Sequence, residues 1–210
     1  MKVNKTINGK IRKENKNDFS VIFNIEISKR IDNKSCTNGY DSLKSSIENI
    51  VEKVSKEENK LQFHKANIYK SLGPKDLTLI VENTSLAFIF NLLNQLNKEK
   101  SAYWNKGKIL RTFTMLCSER HVKPKLEKGF ALISYLRISN NFQKEDIKRI
   151  KNEQTMLCMH EITGVMDYRV QWKPNIAIEE VLNFYNEMLE DSYLTDFQTK
   201  IEKEIIGIQN

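Results

Sequence analysis

Two stretches of this chain alternate apolar and polar residues in the period of a β-strand. Residues 19–28 read FSVIFNIEIS and residues 130–139 read FALISYLRIS. Both are rich in β-branched and aromatic side chains and end on Ile-Ser. A helical pattern follows the first over 40–61, where Leu43, Ile47, Ile50, Val51 and Val54 fall on one face. A shorter one follows the second over 143–154, with Ile147 and Ile150. Each is succeeded by strand, glycine turn and strand, over 63–82 and again over 155–173. Gly73 and Asp76 recur as Gly164 and Asp167, in both cases 91 residues later. On the following strand Leu77, Leu79 and Val81 match Tyr168, Val170 and Trp172. Helical runs then start at Ser85 (SLAFIFNLLNQLNKEK) and Ile176 (IAIEEVLNFYNEMLED), and closing strands at Ile109 (ILRTFTMLC) and Asp196 (DFQTKIEKEII).

Each half is thus β-α-β-β-α-β, the ferredoxin-like order. The predicted class is α+β: tandem ferredoxin-like repeats with antiparallel sheets, arranged as a pseudo-dimer. The predicted boundaries are a basic flexible N-terminal arm over 1–17, a first domain over 18–120, a linker over 121–129 and a second domain over 130–210. A sheet covered by two helices needs its other face buried against something. The second half would supply that cover, or an identical sheet in a homo-oligomer. The run from Ser85 to Leu96 is apolar nearly all round, which predicts a helix buried on several sides or an interface helix, with Tyr103 and Trp104 just beyond it.

Charge changes this picture little. The chain carries a net +7, of which residues 1–17 hold +5 through Lys2, Lys5, Lys10, Arg12, Lys13 and Lys16 against Glu14. Such an arm can track phosphates or simply fray in solvent. No apolar run reaches the roughly 18–20 residues of a membrane span. The polar N-terminus has no signal-peptide core. Cys36, Cys117 and Cys158 are odd in number and widely spaced, which argues against a disulfide framework and for reduced thiols. The expected location is cytoplasmic.

The candidate chemistry is sparse. Cys158 and His160 alternate on one strand face, a pairing that suits two metal ligands or a thiolate–imidazole pair. The simpler expectation is a buried cysteine beside a surface histidine, and no metal. Cys117 and His121 form a second, looser pair, and His64 has no partner in sequence. A metal-dependent palm needs two converging carboxylates. Residues 19–28 offer only Glu26, residues 130–139 offer none, and Asp76 and Asp167 each stand without a paired acid. Tyr135 and Phe23 could stack bases as in an RNA-recognition module, but the basic-Gly-aromatic run is missing. With seven glycines the chain has neither a phosphate-binding loop nor a nucleophile elbow, and no cofactor is expected.

The stretches GPKDLTLIVE with RTFT, and TGVMDYRVQW with QTK, resemble the effector-binding domain of the leucine-responsive (Lrp/AsnC) regulators and, more broadly, the dimeric α/β-barrel superfamily. The resemblance spans nearly the whole chain after residue 18. Residues 1–17 are too short for the helix-turn-helix of those regulators, so DNA reading does not carry over. The resemblance implies a sheet module that binds a small ligand near the Gly-Asp hairpin, making Gly73, Asp76, Gly164 and Asp167 the candidate ligand-binding positions. Each glycine also serves a tight turn, and each aspartate can cap that turn's N–H groups. The expected function is a non-enzymatic ligand-sensing or protein-docking module acting with a partner protein. A single-stranded nucleic-acid-binding module is the alternative. A palm-type nucleotidyl transferase or cyclase relic is the third.

Overall fold

The computed structural model describes residues 19–27, 36–57, 65–73, 76–98, 109–119, 122–143, 146–151 and 154–209. The basic arm, His64, Pro74, Tyr103, Trp104 and His121 lie outside them. Eight strands and four helices follow in the order β1 (Phe19–Ile27), α1 (Cys36–Glu57), β2 (Lys65–Leu72), β3 (Leu77–Thr84), α2 (Leu86–Lys98), β4 (Ile109–Cys117), β5 (Phe130–Ile138), α3 (Ile147–Ile150), β6 (Met156–Thr163), β7 (Tyr168–Trp172), α4 (Ile178–Glu190) and β8 (Leu194–Gln209). Ser85 caps α2 by accepting the Phe88 N–H at 3.2 Å, which is why that helix begins where it does. No described helix is long and apolar enough to cross a membrane.

The strands close into an antiparallel α+β barrel in the order β1-β3-β2-β8-β5-β7-β6-β4. Within each set of four the sequence is fourth, first, third, second, the ferredoxin-like arrangement. Alternation along each strand sorts the side chains into two environments. Val21, Phe23, Leu79 and Val81 face outward onto Ile47, Val51, Val54, Phe88 and Leu92 of α1 and α2. Val170 and Trp172 meet Val181, Tyr185 and Met188 of α4 in the same way. The opposite face turns inward, where Ile22, Tyr69, Ile80 and Met115 pack with Ile133, Tyr135, Ile162 and Met166. The bare sheet face foreseen from the helix count is therefore the lining of the barrel.

The two hairpins have matching backbone geometry. Asp76 N donates to Ile25 O at 3.1 Å and Asp167 N to Leu136 O at 2.9 Å. Ser71 N reaches Asp76 O and Ile162 N reaches Asp167 O, at 2.9 and 2.8 Å. Both glycines take positive φ, +147° and +151°. They are needed for closeness as much as for conformation. A Cβ on Gly73 would stand 2.9 Å from Lys200 Cβ, and one on Gly164 would stand 2.6 Å from Thr114 O. Each hairpin thus lies against the closing strand of the other half.

Several expectations need correction. The second helix is a single turn, Ile147–Ile150, because two apolar residues cannot support a longer amphipathic face. The first begins at Cys36 and ends at Glu57, ahead of the predicted 40–61, since an apolar stripe sets a helix's face better than its ends. β8 runs 16 residues because it has partners on both sides: β5 along Leu194–Lys203 and β2 along Ile201–Gln209. α2 buries one face only, with Leu86 and Phe90 exposed. Asp167 caps the neighbouring strand instead of its own turn, its Oδ2 accepting the Ile138 N–H at 2.8 Å.

The two ways of joining the halves differ. β2 and β8 pair from Lys65↔Gln209 to Leu72↔Ile201, whereas β4 and β6 pair only at Leu116↔Thr163 and Cys117↔Ile162. After Cys117 the chain bends away, and the part of β6 before Ile162 has no strand on that side among the described residues.

Gly164→Ala is expected to cost about 2–4 kcal/mol, combining backbone strain with a clash against a carbonyl that cannot move aside. Gly129→Ala, at φ +82° with nothing within 4 Å of the added Cβ, is expected to cost only about 1 kcal/mol. Urea unfolding of the two variants checks this, and equal losses would remove the close approach as the reason for Gly164.

Candidate functional site

Charged side chains occupy the middle of the barrel. Arg169 and Glu202 are fully buried and meet at 3.2 Å between Nη2 and Oε2. Lys200 Nζ lies 3.1 Å from the other carboxylate oxygen. The same ammonium donates to Asn24 Oδ1 and Thr78 Oγ1, both at 2.6 Å, and sits 4.8 Å from the centroid of the Tyr135 ring. Burial alone pushes the carboxyl of Glu202 up, but Lys200 and Arg169 pull it down further, and it settles below its ordinary value. The pair is costly to desolvate, so it contributes order more than net stability.

The segment between the halves is held by this interior. Glu82 Oε1 accepts the N–H groups of Val122 and Lys123 at 2.9 and 2.8 Å. Arg169 Nη1 donates to Val122 O at 3.0 Å, and Gln171 exchanges two bonds with the backbone of Lys125. Residues predicted as a simple linker are therefore bonded into one mouth of the barrel, with Val122 and Pro124 buried. The Tyr69 hydroxyl and both amide atoms of Asn67 are buried with no hydrogen-bond partner among the described residues.

Where β4 leaves β6, three reactive side chains converge. Cys117, Glu119 and His160 offer a sulfur, a carboxylate oxygen and a ring nitrogen that all lie within 4.8 Å of one another. His160 Nδ1 is 2.7 Å from Glu119 Oε2. The His160 side chain is 10% exposed, while that of Glu119 is half exposed. Burial lowers the imidazole below its ordinary pKa, and the nearby carboxylate only partly restores it. Burial likewise pushes the Cys117 thiol up. His160 is thus a buried group, correcting the surface histidine expected from sequence. Cys158 shares its strand face but stands at the long limit of contact with Gln171, 4.0 Å from Sγ to Oε1. Sequence reasoning does not single out Glu119. The signal is present in the Cys-x-Glu spacing of CSERH, which continues the alternation of β4, but only the β4–β6 register sets it against His160.

The hairpin positions Gly73, Asp76, Gly164 and Asp167 are not gathered into one place: Gly73 touches β8 and Gly164 touches β4. A separate cleft of about 320 Å³ opens where β5, β7 and the approach to α4 meet, with Phe130, Trp172 and Ile178 in its walls.

No protein-family model matches the chain, and no curated protein matches it. Solved structures do. A heme-binding protein from Thermus thermophilus aligns at TM-score 0.52 and 11% identity, over 90% of this chain and 92% of its own. A mutant chlorite dismutase from Candidatus Nitrospira defluvii aligns at 0.51 and 10%, over 90% and 91%. An anthrone oxidase-like protein aligns at 0.51 and 6%, over 92% and 93%. The likeness is one of fold. It shows the α+β barrel fold and leaves both the superfamily and the regulator resemblance as expectations. It also corrects two functional expectations. Matched barrels include an enzyme and a heme-binding protein, which stands against the non-enzymatic sensing or docking module and against the expected absence of enzymatic activity.

The described residues do not fit a heme. A porphyrin needs a flat void and an axial ligand. His160, the sole described histidine, lines none of the cavities described, of about 120 to 430 Å³, and the Cys158 thiol that lines one of them is pushed up by burial, away from the thiolate a heme iron takes. The layer under α4 is filled by interlocked rings, with Tyr185 stacked on Phe197 at 3.9 Å and Trp172 edge-on to Phe184 at 5.3 Å.

Glu202→Gln is expected to cost about 3–5 kcal/mol, because it leaves Arg169 and Lys200 uncompensated in the interior. Acid should weaken the protein through His160 as well. Its folded pKa is depressed, so its contribution is present above the unfolded value near 6.5 and is lost as pH falls. Urea midpoints measured from pH 7 to pH 5 should fall for the wild type and fall less for His160→Gln.

Proposed function

We propose that the chain is an enzyme that acts on a small molecule by taking a proton at His160. The observation that carries this reading is the buried imidazole joined to Glu119 at a break in the barrel wall. A ring with a lowered pKa is neutral at pH 7 and free to accept a proton. The Glu119 carboxylate orients it by accepting the Nδ1 proton, which leaves the lone pair on Nε2. Glu119 is half exposed, so substrate can approach the group from the seam between β4 and β6. The enzymes among the fold's solved members support this reading, and small-molecule ligands are what their names describe. We read the chain itself as two ferredoxin-like halves, 18–120 and 130–210, fused into one barrel through 121–129. The crosswise contacts of Gly73 and Gly164 support that division.

Cys117 favours a second reading, a metal-assisted reaction. Sulfur, oxygen and nitrogen donors suit Zn²⁺, and three protein ligands leave a fourth position open. A tetrahedral ion with bonds of about 2.0–2.3 Å holds its donors roughly 3.3–3.8 Å apart. The group spans up to 4.8 Å, so it would have to close around the ion.

The test uses a carbon acid, anthrone, and follows hydrogen–deuterium exchange at its acidic carbon by NMR in D₂O. Wild type is expected to accelerate exchange, His160→Gln to lose about 100-fold of that rate, and Glu119→Gln about tenfold, with melting temperatures measured alongside. The acid limb of the rate should fall below pH 6.5, in line with the lowered pKa of the ring. Exchange no faster than in buffer, or unchanged in His160→Gln, would overturn the reading. Loss of rate in EDTA and recovery with Zn²⁺ would select the metal.

A further inference from the structure

The structure assigns a second ligand site to the cleft beside β5, one that takes an apolar chain ending in a single carboxylate, a medium-chain fatty acid. Its volume of about 320 Å³ falls at the lower end of small-molecule sites. Much of its wall is apolar. Phe130, Ile178 and Ile201 are 44, 53 and 39% exposed and all line this one cleft. Exposed side chains of this size cost free energy in water unless something covers them.

The rim is basic. Lys125, Lys128 and Lys173 line the cleft against one acid, Glu127, and none of the three ammoniums meets a carboxylate among the described residues. Lys203 adds a fourth cation, its Nζ 5.4 Å from the centroid of the Phe130 ring. Cations over an apolar floor match an anion with an apolar tail. The cleft has no glycine-rich loop to cradle a phosphate.

Backbone conformation adds an independent observation. Glu127 and Phe130 exchange both backbone hydrogen bonds, at 2.9 and 3.0 Å, around the two-residue turn Lys128–Gly129. Both turn residues have positive φ, +51° and +82°. Such turns favour Asn or Gly at the first position, and another L-residue there costs about 1 kcal/mol. The turn nevertheless carries a lysine, placed on the cleft rim. A strained residue held at a cleft is the pattern of a side chain kept for binding.

This separates binding from folding. Lys128→Gly relieves the strain, so its melting temperature should equal or exceed that of the wild type. Calorimetric titration with decanoate, below its micelle concentration, should show one saturable site in the wild type. Binding should weaken about three- to tenfold in Lys128→Gly, as expected for loss of one rim charge. Decyltrimethylammonium, with the same chain and the opposite charge, should bind at least tenfold more weakly than decanoate. Ile178→Asp, a change at an exposed position, should abolish decanoate binding without unfolding the protein. No saturable binding at millimolar decanoate would overturn the assignment. So would equal affinity for the two probes, or unchanged affinity in Lys128→Gly. The readout is binding alone and should be the same in His160→Gln, so failure of the proton-transfer reading would leave this result standing.

Discussion

Glu202 carries a charge where no water reaches, and the barrel is arranged around keeping it there. Arg169 from β7 and Lys200 from the same strand as Glu202 neutralise it. Lys200 in turn ties to Asn24 on β1 and Thr78 on β3, and Arg169 holds the segment that links the halves. One carboxylate therefore couples strands from both halves to the connection between them. An apolar core of equal volume would give similar stability but would not select so narrowly among strand registers, since a slip of one residue would turn these charges outward onto the helices.

The parts of the fold that depend on local pattern were legible in the sequence. Alternation in FSVIFNIEIS and FALISYLRIS marks two strands, the stripe from Ile47 to Val54 marks a helix face, and the recurrence of Gly73 and Asp76 at Gly164 and Asp167 marks two hairpins of matching backbone geometry. The need to bury the second sheet face was legible too. What fills that space was not. Arg169, Lys200 and Glu202 occupy ordinary polar positions of alternating strands, and nothing in DYRVQW or TKIEKE distinguishes an inward charge from a solvated one. Their pairing is a property of closure. The same holds for Glu119 and His160, which lie 41 residues apart and meet only because β4 ends just as its pairing with β6 begins.

Strain and exposure marked the cleft beside β5 where local pattern could not. Phe130 opens a strand whose alternation says nothing about the outer rim, and Lys128 reads as one more surface lysine in a basic chain. Only its positive φ distinguishes it. A sequence rule that places Gly or Asn in such turns is informative here because it is broken.

The unequal joins between the halves leave one line of the barrel wall weaker than the other. Eight registered residues fasten β2 to β8, and two fasten β4 to β6. Thermal opening begins where the fewest backbone bonds must part. The wall should then swing about the β2–β8 join like a cuff about its hinge, parting at the edge that carries Cys117 and Ile162. Such a motion would admit water, and molecules of modest size, to His160 and the buried charges beyond it, while the two outer cores under the helices remain intact. Closure would restore the dry interior that keeps the imidazole neutral. The weakest line in the wall is thereby the one that runs beside the buried imidazole.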